Sequence, residues 1–414
     1  MLAKKLLILS SVWVEPNSSA AGARMLQLIA LFQAQDYQVT YASTANESAN
    51  AVDLEYKAIS TKQILLNDSS FDEFIQELQP DIVLFDRFML EEQFGWRIAD
   101  YCPNALRVLD TEDLHCLRKG RELALKNNSI FQEEDLLTLP IAKREIASIL
   151  RCDLSLIISK YEMQLLINTF HISEKLLHYL PFLVNPIDTD TINDLPIYEQ
   201  RKDFYFVGNF LHKPNYDAIL QLKNTIWPLL KVKLPKAKLH VYGAYASDKV
   251  MQLHNEKQGF LVHGCAENLV EIIENSRVCL APLRFGAGLK GKLLEAMRYG
   301  APSATTQIGA EAMTFDLPWS GIIADDITNF VTKTATLYTN KEMWLEAQEN
   351  GFKIYNTIYN KANYEDEFVT IIKQLIANLT RHRKNNFLGN ILLEEQYRSS
   401  KFMALWIAAK NKKD

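Results

Sequence analysis

The 414-residue sequence predicts an α/β protein of two Rossmann-like, doubly wound domains facing across a cleft, followed by a helical tail. Three observations carry that expectation. Short apolar runs alternate with amphipathic stretches through the first half. The alternation breaks at 181–196 and then restarts. In the second half a run rich in glycine and lysine, 285–297, follows one apolar run and opens into another.

The first apolar run, 6–14, begins Leu6-Leu7-Ile8-Leu9 behind Lys4 and Lys5. With Ala21-Gly22-Ala23 downstream it also fits the outline of a secretory signal. Ser10 and Ser11 interrupt the run and Glu15 precedes the supposed cleavage site, so a buried first strand is expected. Further strands are expected at 38–42, 81–85, 106–109 and 154–158, with helices such as 23–35 and 71–78 between them. Alternation of this kind implies a mostly parallel sheet. Pro181, Pro186 and Pro196, mixed with Asp and Asn, mark a linker. Strands then resume at 204–207, 239–242, 260–263, 278–281, 301–305 and 321–324, with helices at 217–234 and 289–299. From Ile327 onward only helices are expected. The domains are placed at 1–190 and 191–365, with a basic helical tail at 366–414.

Composition narrows the function. The net charge of −5 argues against a nucleic-acid binder. Cys102, Cys116, Cys152, Cys265 and Cys279 are scattered, odd in number and never in CxxC spacing, so neither a zinc site nor a disulfide framework is expected. No metal or other cofactor is expected. No apolar run reaches about 18 residues, the length of a membrane-spanning helix. The tail is basic, with nine Lys/Arg against three Asp/Glu from Lys373 to Asp414. Its apolar block between Lys401 and Lys410 has two readings: a helix docked on one domain, or an interfacial helix drawn to anionic lipid. The expected location is the cytoplasm, with peripheral contact at the inner face of the membrane if the tail is interfacial.

The run 285–297 carries the chemistry. Val278-Cys279-Leu280-Ala281-Pro282-Leu283 reads as a strand, so the glycines lie on a strand–loop–helix turn, where open α/β sheets bind ligands. Glycine permits close backbone approach. A helix start offers unpaired N–H groups and a partial positive charge, which suits a phosphate or diphosphate. Lys290 and Lys292 add full charge. The plain alternative is a tight turn with lysines on a solvated face.

These residues resemble the GT-B glycosyltransferases of the retaining family 4 (group 1) class. The matching stretches are Phe206-Val207-Gly208-Asn209-Phe210, Pro214-Asn215-Tyr216-Asp217-Ala218, Ile226-Trp227-Pro228 and the run from Pro282 through Met297. Gly300-Ala301-Pro302 and Thr305-Thr306-Gln307-Ile308-Gly309-Ala310-Glu311 continue it. The likeness is dense from 204 to 311 and sparse before. It implies transfer of a sugar, of hexose type, from a nucleotide-sugar donor to a glycan, lipid-linked or protein acceptor, with retention of configuration and without a metal. The donor is expected on the second domain, at Gly208, Asn209, Lys213, Gly286, Ala287, Gly288, Leu289, Lys290 and Glu295. Glu295 matches the second of the family's two glutamates, which accepts from the donor ribose. Eight residues earlier, where the family carries a glutamate on the transferred sugar, stands Ala287. The family's basic pair is also out of register: Asn209 follows Gly208, and Lys213 is one residue off. Lys290 and Lys292 are the expected compensation.

In the first domain, Gly22 stands in the loop that the family places near the donor, and Arg24 on the next helix either reaches an anion or lies on the surface. Asp110-Thr111-Glu112-Asp113-Leu114-His115 follows a strand at its cleft end. His115 is the candidate catalytic residue, similar to the family's cleft histidine. Arg118 either holds a phosphate or pairs with Asp113. Asp86 is a further cleft candidate. Glu311 either contacts donor or acceptor across the cleft or caps the next helix. Two other functions compete with glycosyl transfer: nucleotide-sugar epimerisation on the same fold, and a non-catalytic nucleotide- or glycan-binding subunit, which the missing glutamate motivates.

Overall fold

Alternate residues of the strands face opposite layers, and this pleat builds the molecule. The computed structural model describes residues 4–411, without the side chains of 395–400 and 411. The first sheet comprises β1 (Lys4–Ser10), β2 (Tyr37–Ser43), β3 (Ser60–Gln63), β4 (Ile82–Asp86), β5 (Leu106–Asp110), β6 (Leu154–Ile157) and β7 (Leu177–Tyr179). Its order is β3-β2-β1-β4-β5-β6-β7. The second comprises β8 (Lys202–Val207), β9 (Leu239–Tyr242), β10 (Phe260–Gly264), β11 (Ser276–Ala281), β12 (Ser303–Thr305) and β13 (Gly321–Ile323), in the order β10-β9-β8-β11-β12-β13. Both sheets are parallel throughout.

Parallel strands buried on both faces read as continuous apolar runs. In β1 and β4, Leu6, Ile8, Ile82 and Leu84 enter one core, and Leu7, Leu9, Val83 and Phe85 enter the other. In the second sheet, Phe204, Phe206, Val278 and Leu280 face one layer while Tyr205, Cys279 and Ala281 face the other.

The first domain's helices are α1 (Ala20–Gln33), α2 (Ser70–Leu78), α3 (Phe88–Tyr101), α4 (His115–Lys126), α5 (Pro140–Arg151) and α6 (Lys160–Asn168). Then come α7 (Thr189–Asp194), α8 (Lys213–Gln221), α9 (Trp227–Lys233), α10 (Asp248–Met251), α11 (Leu269–Asn275), α12 (Gly291–Arg298), α13 (Gln307–Ala310), α14 (Ile327–Thr339) and α15 (Lys341–Ile358). The tail is α16 (Glu365–Asn385) and α17 (Phe387–Asn411). These two sheets and their helical layers form the GT-B architecture.

Several elements differ from the sequence expectation. β1 stops at Ser10, whose hydroxyl donates to Asp86. β3 reads Ser-Thr-Lys-Gln and β7 has three residues, so neither edge strand shows an apolar run. The linker contains α7, capped by the Asp188 side chain. The expected helix 217–234 is α8, a π-helical turn at Leu222–Ile226, then α9. Pro228 follows the π turn inside this continuous helical run, at the place where proline interrupts the α-helical ladder.

The chain returns to the first domain at its end. Phe368 and Ile372 of α16 enter the core beside α1. Arg383 forks onto Asp153 at 2.7 Å and donates to the Ala105 carbonyl. α17 then packs against α3 and α5. The tail therefore docks on the first domain, as a strap.

Candidate active site

Open parallel sheets bind ligands outside the carboxyl ends of their strands, where strand order reverses. Those points are β1/β4 in the first sheet and β8/β11 in the second. The glycine-rich loop leaves β11 and ends at Lys290, the N-cap of α12. Gly288 has φ +63°, and a Cβ there would lie 2.8 Å from the Asp113 Cβ of the first domain. Only glycine fits that backbone and that gap.

The first domain grips this loop. The Gly288 N–H donates to Glu162 Oε1 at 2.8 Å, and the Leu114 N–H donates to the same oxygen at 2.9 Å. Arg121 donates to the Gly286 carbonyl at 2.9 Å and forks onto Glu311 at 2.9 and 2.6 Å. Ala287 is buried within the first domain's core cluster, and Leu289 packs with Phe182 and Leu293. Burial and the nearby Asp113 push Glu162 up to about 8. The sequence gives no sign of Arg121 or Glu162, since their partners lie up to 190 residues away.

The lysines divide their work. Lys290 Nζ folds back onto its own loop, donating to the Gly288 carbonyl at 2.6 Å and the Ala287 carbonyl at 3.3 Å. Lys292 Nζ reaches the first turn of α8, donating to Asn215 Oδ1 at 2.6 Å over the ring of Phe206. A Cβ at Gly208 would lie 2.9 Å from that ammonium. Asn215 in turn donates to the Asn209 carbonyl. Burial lowers Lys290 to about 8 and Lys292 to about 7. Lys213 instead projects outward, 69% exposed, toward Glu122 at 3.4 Å. The cation beside Gly208 and Asn209 is thus Lys292. Glu295 is partly buried on α12 and raised by that burial. Its carboxylate accepts no hydrogen bond among the described residues.

The facing wall is built at the ends of β4 and β5. His115 opens α4, and its N–H and that of Cys116 donate to the buried Glu145 carboxylate. Burial lifts Glu145 to about 7. The His115 ring packs edge-on against Phe88, with Nε2 3.6 Å from Asp113. Burial depresses His115 to about 4, and it does the same to His212 at the N-cap of α8. Both imidazoles act on Asp113, one from each domain. Burial raises Asp113, but Arg118 with the two histidines overrides it, so this carboxylate lies below its ordinary range. Arg118 pairs with Asp113, one of its two expected roles.

Three further candidates take the following places. Arg24 does not lie on the surface: it is 1% exposed, and the anion it reaches is the protein's own Asp110, onto which it forks at 2.9 Å while donating to the Leu180 and Pro181 carbonyls. A Cβ at Gly22 would lie 2.4 Å from the Glu15 backbone, so the close approach there requires glycine. Glu311 caps no helix start, because it follows α13 and bridges the domains through Arg121. Asp86 is buried, accepts from Ser10 and Arg87, and leaves Oδ1 without a hydrogen bond. Beside it Glu112, at φ +60°, also keeps an unsatisfied oxygen. Burial and Asp110 push Glu112 well above the carboxylate range. Among the described residues no side-chain group suits a metal ion.

Residues 201–340 match the family model of glycosyl transferases group 1. No curated protein matches the sequence. Solved structures match it along most of its length. Sucrose-phosphate synthase from Thermosynechococcus elongatus is 14% identical, covering 90% of this chain and 100% of that one with a TM-score of 0.67. A glycosyltransferase from Rickettsia africae is 12% identical, covering 91% and 100% at a TM-score of 0.64. Anabaena HepE, solved with UDP and glucose, is 12% identical, covering 91% and 100% at 0.60. At such identities the likeness is one of fold, and it coincides with the paired parallel sheets and the loop-to-helix turn described above. The chain has the GT-B fold, and its segment 201–340 matches the group 1 glycosyl transferases.

Proposed function

We propose that the protein moves a sugar of hexose type from a nucleotide-sugar donor to a hydroxyl on a glycan, lipid-linked or protein acceptor, with retention of configuration. One observation carries this reading. Lys292, Asn215, Gly208 and the start of α12 converge where β8 and β11 part, opposite Asp113 and His115. A partly buried ammonium beside a helix start suits a diphosphate leaving group. The group 1 match over this segment and the UDP bound to Anabaena HepE support a nucleoside diphosphate.

The bond from the anomeric carbon to the diphosphate oxygen breaks as the acceptor oxygen bonds to that carbon on the same face. The acceptor proton passes to the departing diphosphate. Lys292 and backbone N–H groups stabilise the charge that develops there, and the loop gripped by Arg121 and Glu162 keeps water out. Glu295, whose carboxylate accepts no hydrogen bond among the described residues, accepts from the ribose hydroxyls. His115, held uncharged by burial, faces the transferred sugar, and the acceptor lies against the first domain. No step calls for a metal.

A panel of nucleoside diphosphates in a thermal-shift assay tests the reading, since ligand bound only to the native state raises apparent stability. One base should give the largest shift, and the matching nucleotide-sugar should be consumed. A folded protein shifted by no nucleoside diphosphate would sink the proposal. The burial of Ala287 against the first domain favours a second reading, a non-catalytic binding subunit. A shift without turnover on any acceptor would select it.

A further inference from the structure

The last helix holds to the first domain by one side only. Ala404 of α17 is buried against Trp96 of α3, Leu393 packs on the same cluster, and Lys401 pairs with Asp100. The other side is bare. Phe402, Met403 and Trp406 are each more than 60% exposed, and Leu405 is 43% exposed. A helix that merely closed a domain would turn its largest apolar side chains inward. Large apolar side chains gathered on an outer face mark a surface that meets another body.

Charge indicates which body. The chain carries net −5, yet from Lys373 to Asp414 it has nine Lys/Arg against three Asp/Glu. A basic tail on an acidic molecule seeks an anionic partner. Lys410 lies 5.3 Å from the Trp406 ring, so the patch ends in a cation over an aromatic. Tryptophan settles where hydrocarbon meets headgroups, and a lysine stem lies along apolar surface while its ammonium stays at the polar level. Two such tails face to face would repel. No described helix is long and apolar enough to cross a membrane, so the helix lies on the surface.

We propose that the outer face of α17 around Phe402, Met403, Leu405 and Trp406 seats on an anionic lipid surface. α17 is fixed to α3, and Arg383 fixes the preceding helix beneath β5 and β6. The first domain is thereby held against the lipid, independently of whether the cleft transfers a sugar.

Vesicle flotation of the full chain tests this, using phosphatidylcholine alone and phosphatidylcholine with about 30% phosphatidylglycerol. The wild type should float with the anionic vesicles and release as salt rises. The double variant F402S/W406S should partition roughly tenfold less or worse, at an unchanged melting temperature. Lys410→Glu, which removes the cation over the Trp406 ring but touches no contact between α17 and the domain, should weaken binding to the anionic vesicles alone and serves if the double variant fails to fold. A wild type that does not float, or floats equally with a folded F402S/W406S, overturns the proposal. So does a wild-type dimer by light scattering that F402S/W406S dissociates while neither protein floats, which would make this face a contact between copies.

Discussion

Lys292 is the residue on which donor binding should turn. Burial holds its ammonium down to about 7, so it is charged below that pH and neutral above it. A diphosphate prefers the charged form. Nucleoside diphosphate affinity, measured by calorimetric titration, should therefore fall as pH rises from about 6 to 8, tending to tenfold per unit above the transition. Lys292→Met should weaken binding about tenfold and flatten that profile. An unchanged slope would move the role to Lys290. The sequence exposed both lysines but ranked Lys290 first, because spacing does not tell which way a side chain leaves a helix start. Arg24 teaches the same lesson: its anion is Asp110, 86 residues along the chain.

At the scale of the element, the loop between β11 and α12 was the most legible part of the chain. Its glycines, its lysines and the strand before it are contiguous in sequence. Gly288 shows what the contiguous pattern leaves out. Its φ of +63° is a local requirement, whereas its closeness to Asp113 is imposed by another domain. Gly288→Ala should cost about 1–2 kcal/mol for the left-handed backbone alone. The clash with Asp113 adds to this and should also hold the cleft apart. Urea unfolding should show the loss and turnover should fall, while a neutral result would mean that the loop shifts freely. The edge strands β3 and β7 escaped the sequence for the opposite reason. One is polar and the other has three residues, and pairing with a neighbour defines them more than their own pattern does.

At the scale of the whole molecule, the two domains are tied through the site itself. Arg121 of α4 holds Gly286 and Glu311, and Glu162 of α6 holds Gly288. Arg121→Ala leaves the partly buried Glu311 without its fork, a loss of about 1–3 kcal/mol for a charge-assisted contact. That loss falls on the closed arrangement, so the variant should show a larger radius of gyration in solution scattering and a lower kcat/KM. Unchanged values for both would show that closure rests elsewhere.

The sequence by itself determined two doubly wound domains, the break between them, a phosphate-suited turn opening α12 and a basic tail with an apolar block. Each is a pattern of near neighbours, set by strand and helix periodicity and by glycine's backbone freedom. Only the tertiary structure decided that Lys292 stands beside Gly208, that Arg24 pairs with Asp110, and that Arg121 and Glu162 tie the two domains together. It also decided that the tail docks on the first domain with four large apolar side chains left outside. Those outcomes depend on partners far apart in the chain, brought together by packing that local periodicity does not encode.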